Sequence, residues 1–475
     1  MSPERATFDL ARIGRGLPVA DQAATTGLAD ALTPAARLVV QAPPGTGKTT
    51  FVPALAANAV GGRIVVTQPR RVAARAAAHR LASLAGDAVG GLVGYRVRGD
   101  ARVGPSTIVE FCTTGVLLRR LLAEPDLPRV SAVILDEVHE RQLDSDLVVG
   151  MVRELAELRD DLTVVAMSAT LAADRFAELL GAPGDVPAGT PARVIRVEGA
   201  LHPLEVAWAP PRGAAPLDAR GVTDPFLTHV AATTREALAT WPGDALVFLP
   251  GVREVERVTG LLAGAVPGVS VLPLHGRLST AEQQRVLAKG DGRRVVVATS
   301  VAESSLTVPG VRIVVDSGLA REPRYDAIRG MSGLVTRTES RSSAEQRAGR
   351  AARESPGVVV RCFAAETWSR LAPAPTPEIL TADLTRAVLD LACWGTPRGE
   401  GLALLDPLPP GTLVRAEETL RDLGAIDADG RATPAGHRMA RVPVDPRLAR
   451  ALFIGAAAVG ARRAAEIVAA LENDQ

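Results

Sequence analysis

The stretch Ala42-Pro-Pro-Gly-Thr-Gly-Lys-Thr-Thr50 narrows the choice of fold more than any other segment of the chain. A short apolar run, Leu38-Val39-Val40, precedes it and reads as a buried strand, and helix formers from Phe51 to Ala59 follow it. Strand, glycine-rich turn, lysine, hydroxyl and helix together form the pattern of a phosphate-binding loop. Gly45 and Gly47 let the backbone bend so that its N–H groups converge on phosphate oxygens. A helix starting near Lys48 adds its positive N-terminal end. Lys48 can reach the terminal phosphates, and Thr49 can place its hydroxyl on Mg²⁺. Ala42 stands where the first glycine of the strict pattern is usual.

A chain of 475 residues, 47% of them hydrophobic, has material for about three domains. No run of about 18 uncharged apolar residues marks a membrane span, and the start, Met1-Ser-Pro-Glu-Arg5, lacks an apolar signal region. Three scattered cysteines, Cys112, Cys362 and Cys393, argue for reduced thiols in a cytosol and against a zinc or iron–sulfur site. The net charge of +1 means that any nucleic-acid site is a local groove rather than a global charge. Of the 54 basic residues only Lys48 and Lys289 are lysine. One of the two therefore sits in the phosphate loop, where a compact, mobile ammonium suits the task.

From Leu38 onward apolar strands alternate with amphipathic helices. Strands are predicted at 63–67, 107–111, 130–135 and 162–166, with helices at 72–85 and 115–122 and an earlier helical segment over 22–32. Continuous apolar strands between helices indicate a parallel sheet covered on both faces. A stretch rich in Pro, Gly and Ala between 181 and 224 places a boundary near Gly199. A second α/β series follows, with strands at 245–249, 269–274, 294–298 and 311–315. After Pro373, Pro375 and Pro377 a helical region begins, with helices at 378–394 and 415–423 and a small hairpin at Asp429-Gly430. That pattern suits a winged-helix module.

The second constellation is Asp136-Glu137-Val138-His139 at the end of an apolar strand. Asp136 can hold Mg²⁺, and Glu137 can take the proton from a water attacking a γ-phosphate. The segment lacks the second histidine of a zinc helix, which excludes a metalloprotease. Asp144 and Asp146 read as a solvated face. Ser168 and Thr170 follow the strand expected beside Asp136. In Gln346-Arg-Ala-Gly-Arg-Ala-Ala-Arg353, Arg350 and Arg353 share a helix face. They can stabilise charge on a phosphoryl group or contact nucleic acid.

These segments, with Thr67–Arg71, Thr113–Gly115 and Ala298–Thr307, resemble in order the motifs of superfamily 2 DEAH/RHA-type ATP-dependent helicases. Among these they resemble the bacterial HrpB-like members. Asp316–Arg321, Pro377–Leu380 and Val444–Leu448 extend the likeness over residues 17–475. The departures are small: DEVH for DEAH, Ser300 and Ser304 for Asn and Thr, and Ala352 for Gly. Leu319 stands where a base-stacking aromatic is usual.

The resemblance implies an α/β fold of two tandem RecA-like domains, 1–199 and 200–372, then a winged-helix domain, 373–441. Residues 442–475 would begin a ratchet-like helical region that the chain cuts short. Gly45, Thr46, Gly47, Lys48, Thr49 and Thr50 would bind ATP, with other NTPs accepted for want of an aromatic stack. Thr49 and Asp136 would hold Mg²⁺. Glu137, Gln346, Arg350 and Arg353 would be catalytic, Gln346 by positioning the water. His139, Ser168 and Thr170 would couple hydrolysis to domain movement. Arg70, Thr114 and Thr299 would touch the nucleic-acid backbone, and Arg321–Tyr325 would open a strand-separating hairpin. The expected protein is a cytoplasmic, monomeric ATP-dependent RNA helicase moving 3′→5′, with DNA as a second substrate and no membrane partner. Two alternatives stay open: an NTPase translocating without unwinding, and an inactive nucleic-acid-binding scaffold.

Overall fold

In the computed structural model, the described residues are 7–473 except 170–171, 185, 188, 200–201, 214, 289, 291, 304–307 and 327–330. The first sheet is built from β1 (Arg37–Gln41), β2 (Arg63–Gln68), β3 (Val93–Val97), β4 (Asp100–Arg102), β5 (Val109–Thr113), β6 (Val130–Leu135), β7 (Thr163–Ser168) and β8 (Arg193–Arg196). Its order is β4-β3-β5-β2-β6-β7-β1-β8, parallel except for the β3–β4 hairpin at one edge. The helices between these strands include α1 (Lys48–Val60), α2 (Arg71–Ala85), α3 (Thr114–Ala123) and α4 (Leu143–Leu158), and a further helix, Ala173–Leu180, lies between β7 and β8. Side chains alternate along each strand, and both faces are apolar. Val133 and Leu135 of β6 enter one core, while Ala132 and Ile134 enter the other.

The second sheet holds β9 (Leu204–Trp208), β10 (Asp244–Phe248), β11 (Ser270–Leu274), β12 (Arg294–Ala298), β13 (Val311–Asp316) and, later, β16 (Gly357–Arg361). All six are parallel, in the order β11-β12-β10-β13-β16-β9. Between β13 and β16 a hairpin, β14 (Leu319–Asp326) with β15 (Met331–Thr338), projects from this domain, and α5 (Arg341–Ala348) follows it. Strand β8 is an edge of the first sheet and β9, the next strand in the chain, an edge of the second.

The C-terminal region is helical: α6 (Thr385–Trp394), α7 (Pro410–Asp422), α8 (Pro434–Ala440), α9 (Pro446–Val459) and α10 (Ala461–Asn473). A single antiparallel bridge, Ile426 to Ala432, marks the wing around Asp429-Gly430. This region has no core separate from the first domain. Leu384, Val388 and Leu391 of the helical region belong to the same apolar cluster as Leu147, Met151 and Phe176. Glu378 accepts from the Leu143 N–H at the start of α4 (2.9 Å), and the Trp394 indole donates to Glu154 (2.7 Å). The second domain keeps its own two cores.

Several local expectations give way. In place of the helix over 22–32 there is one helical turn, Leu28–Ala31, after Gly27, which has a left-handed backbone; another single turn, Pro18–Asp21, precedes the range. The helix from 378 is a 3₁₀ turn, Glu378–Leu380, and α6 starts only at Thr385, whose N–H and hydroxyl both go to Asp383. The third strand is displaced two residues, to Val109–Thr113. Asp146 is not a solvated residue: it is 2% exposed and paired with Arg141 at 2.8 Å, whereas Asp144 stays at the surface. Leu319, which stands where a base-stacking aromatic is usual, is buried in the core of the second domain.

Candidate active site

The loop between β1 and α1 takes the shape that its glycines permit. Gly45 and Gly47 have φ of +92° and +85°, which side chains rarely adopt. A Cβ on Gly47 would also stand 2.8 Å from Leu17, because the N-terminal lead packs on the loop and the Val19 N–H donates to the Thr46 carbonyl. Thr46 is buried beneath the turn; Thr50 begins the exit along α1.

Across the sheet, β6 ends at Leu135 and the chain turns sharply: Glu137 is left-handed, with φ of 55° and ψ of 35°. This turn sets two carboxylates against the loop. Asp136 accepts from the Thr49 hydroxyl and from Gln68 of β2, both at 2.6 Å, and its other oxygen takes the Glu137 N–H at 2.9 Å. Glu137 lies 3.5 Å from the Lys48 ammonium and 3.5 Å from His139. Burial and the neighbouring Glu137 push the Asp136 carboxyl up to about 6. Burial opposes ionisation of Glu137 too, but the cations Lys48 and Arg350 hold it below the usual carboxylate range. The two acids are thus driven apart, and Glu137 stays charged and available as a proton acceptor.

The second domain reaches this pair through α5 and the turn after it. Gln346 contacts His139 Nε2 at 2.8 Å, and His139 Nδ1 accepts the Ala169 N–H at 3.2 Å. An accepting Nδ1 leaves the proton of a neutral imidazole on Nε2; the Gln346 amide, whose nitrogen is the atom placed 2.8 Å from that Nε2, accepts this proton in its flipped orientation. Burial holds the imidazole below its usual pKa, in keeping with the neutral form. Arg350 is buried, 4% exposed, and Arg353 is partly buried; desolvation lowers both, Arg353 to about 10. Both remain cations at neutral pH, in a place where an added anion relieves their desolvation. Arg353 stands over the phosphate loop, 3.7 Å from where a Cβ on Gly45 would lie.

Beside these groups lies a cavity of about 570 Å³, which Glu137 and Arg353 line but Asp136, His139, Gln346 and Arg350 do not. Gly45, Gly47, Lys48, Thr49, Thr50 and Glu137 line it from the first domain, and Leu287, Pro309 and Arg353 from the second. Ala76, Ala77 and Arg80 of α2 form its far wall, which carries no aromatic ring. Thr49 and Asp136 offer one hydroxyl and one carboxylate, already 2.6 Å apart. Such a donor set fits Mg²⁺, which keeps most of its shell as water and phosphate oxygen. No cluster of three or more His, Cys, Asp or Glu side chains suited to a metal occurs among the described residues.

A second cleft of about 790 Å³ runs behind Arg70. It is lined by Arg70, Arg71, Arg75, Arg98, Arg119 and Thr114, and faced by Gly276, Ser279 and Val301 of the second domain. Arg70 has partners inside the protein as well: it donates to the Ser300 carbonyl and pairs with Glu140 at 3.5 Å. Thr299 is half-buried at the end of β12, its N–H held by the Leu274 carbonyl at 3.1 Å; it does not line the cleft, though Val301 does. Ser168 is buried at the end of β7, and Thr170 lies outside the described residues. Sequence reasoning missed Gln68, Arg80 and Glu303. Gln68 and Glu303 were within reach, since they lie inside the motifs Thr67–Arg71 and Ala298–Thr307; Arg80 carries no local signal.

The family descriptions match this division of the chain: "DEAD/DEAH box helicase" over residues 21–179, "Helicase conserved C-terminal domain" over 230–355, and "Helicase associated domain (HA2), winged-helix" over 416–444. The ATP-dependent RNA helicase HrpB of Escherichia coli (strain K12) is 39% identical over 463 residues, which is 96% of this chain and 55% of that protein. The chain belongs to the DEAH/RHA helicase family. The crystal structure of the E. coli DEAH/RHA helicase HrpB superposes with a TM-score of 0.85 at 38% identity, over 96% of this chain and 56% of that one. A second, of the E. coli DExH-box NTPase HrpB, gives 0.80 at 38% identity, over 96% and 55%. A human relative named "Probable ATP-dependent RNA helicase DHX34" is 35% identical over 425 residues, 88% of this chain and 36% of that protein. The chain spans about half the length of HrpB. No described helix is long and apolar enough to cross a membrane.

Proposed function

We propose that this protein is an ATP-dependent RNA helicase that hydrolyses nucleoside triphosphate between its two α/β domains and moves 3′→5′ along a single strand held in the arginine-lined cleft. The observation that carries this reading is the convergence of Lys48, Glu137 and Arg353 on one cavity from two domains. Glu137 takes a proton from the attacking water. His139 and Gln346 form a polar bridge between Glu137 and the second domain, so the base is aligned only when the domains meet. Lys48, Arg350 and Arg353 neutralise charge that develops on the γ-phosphoryl oxygens. Thr49 and Asp136 would hold Mg²⁺, which when bound would neutralise charge on the phosphates.

The five arginines of the cleft suit phosphates rather than base edges, so binding is nearly sequence-independent and weakens with salt. The hairpin β14–β15 is placed to separate the strands of a duplex: Tyr325 is anchored to the third domain through its N–H to the Thr381 carbonyl at 2.9 Å, with Arg415 over its ring at 5.8 Å. The far wall of the nucleotide cavity reads no base edge through a ring, which supports use of several nucleotides. The test is hydrolysis of ATP, GTP, CTP and UTP with and without single-stranded oligo-uridine and oligo-thymidine, beside displacement of a duplex with a 3′ overhang. Stimulated hydrolysis of all four with strand displacement supports the proposal. Hydrolysis without displacement leaves a translocase. A preference for ATP over GTP above about 100-fold, or about 2.7 kcal/mol, reveals a base-reading contact.

A further inference from the structure

The 3₁₀ turn Ser300–Ala302 follows β12 and ends on Glu303, and both ends of this segment are tied. At the start, Arg70 of the first domain donates to the Ser300 carbonyl, and Val301 lines the cleft beside Arg70. At the end, Glu303 uses three oxygens on α5 and the turn after it. Its Oε2 accepts from Arg347 Nε at 3.0 Å and its Oε1 from the Ser343 hydroxyl. Its main-chain oxygen accepts both Nε and Nη2 of Arg350, the former at 2.8 Å. Arg347 is fixed independently on its other side. Its Nη1 donates to Asp316 at 2.9 Å and to the Leu319 carbonyl at 3.2 Å, lies 2.7 Å from Glu339, and its guanidinium covers Phe248 at 5.2 Å.

The aim of Arg350 therefore depends on where the Glu303 carbonyl stands relative to α5. The carboxylate of the same residue, gripped by Ser343 and Arg347, fixes that relation. We infer that Glu303 is a positioning residue for Arg350, and that the segment from Ser300 to Glu303 carries occupancy of the Arg70-lined cleft to the hydrolytic cavity. The inference rests on the reading above in which Arg350 meets the γ-phosphate. A strand entering the cleft competes for Arg70, the Ser300 end moves, and the Glu303 carbonyl moves with it. Removing the Glu303 carboxylate leaves Arg347 with Asp316 and Glu339, so α5 keeps its buried charge compensated while the carbonyl loses its fixed place.

The test is a cycle of Glu303→Ala and Arg350→Ala in the full chain, with ATP and Mg²⁺ and with and without saturating oligo-uridine. Glu303→Ala is expected to lower kcat by about tenfold or more, a share of the ~10³-fold that such an arginine supplies, with KM for ATP within about threefold. Stimulation by oligo-uridine should shrink with it. The double variant should be no slower than Arg350→Ala alone, because both changes act through one group. Glu303→Gln, which keeps the length and an acceptor, should recover most of the rate. Losses that multiply in the double variant, or a normal kcat for Glu303→Ala beside a slow Arg350→Ala, overturn the inference alone. A normal kcat for Arg350→Ala overturns the reading of the site instead. Should Glu303→Ala not fold, Ser343→Ala removes one grip on the same carboxylate. Its kcat must fall and combine non-additively with Arg350→Ala, and an unchanged kcat overturns the inference.

Discussion

Glu137 is a carboxylate held charged in a buried place, and its left-handed backbone is the local cost of pointing it at the phosphate loop. Glu137→Gln keeps the shape of the side chain and removes its basicity. It should bind a fluorescent ATP analogue as the parent does and lose turnover by about 10²–10⁴-fold; normal turnover would take Glu137 out of the mechanism. Asp390 on α6 makes a prediction of another kind. Burial raises its carboxyl to about 6, against the opposing Arg386. A raised folded-state pKa stabilises the protein at low pH, and that contribution is lost between about pH 4 and 6 as the buried carboxyl must ionise. Asp390→Asn lacks this penalty, so its melting temperature relative to the parent should be higher at pH 8 than at pH 4.5. An equal difference at both pH values would contradict the assignment. At this scale Lys48, Asp136 and Glu137 were legible because apolar strands lead straight into them. Asp146 was misread because its partner, Arg141, sits in a left-handed turn that no composition signals.

Elements set the distances. The phosphate loop works only as a turn whose two glycines differ in what surrounds them. A Cβ at Gly45 meets nothing nearer than 3.7 Å, whereas one at Gly47 meets Leu17 at 2.8 Å. Gly47→Ala should therefore weaken Mg²⁺–ATP binding by about tenfold or more, roughly the 1–2 kcal/mol of a forced left-handed residue, and lower the melting temperature. Equilibrium titration and thermal melting on the same preparation check both, and unchanged affinity would mean that the loop does not hold this shape. The parallel strands and their order of burial were readable from runs such as Val130–Leu135, since both faces are covered. The lead from Pro18 to Ala31 was not, because its two short turns are held by Gly27 and by contact with a loop that follows later in the chain. The start of α6 was equally hidden: Asp383 takes both the N–H and the hydroxyl of Thr385, and Glu378 is drawn off to cap α4.

The whole molecule is two bodies rather than three. The first domain and the helical C-terminal region share one apolar core, and the second domain has cores of its own. Polar bridges, among them Gln346 to His139 and Arg70 to Ser300, join the two bodies at the active site. Closure should then move the second domain against a fixed pair. Fluorescent labels at Glu124→Cys and Glu236→Cys should approach on adding an ATP analogue, while labels at Glu124→Cys and Glu418→Cys should keep their separation. A change in the second pair would contradict the shared core. The account as a whole turns on whether arginines of one body complete the hydrolytic site of the other. Steady-state ATP hydrolysis and oligo-uridine affinity, measured on the parent, Arg350→Ala and Arg353→Ala, test that most directly. The account predicts a loss of turnover of about 10³-fold in each variant, with nucleotide-free affinity for oligo-uridine within about threefold of the parent, under 1 kcal/mol. Near-normal turnover at saturating oligo-uridine, with weakened affinity and a shallower salt dependence, would contradict it and move both arginines to the nucleic-acid cleft.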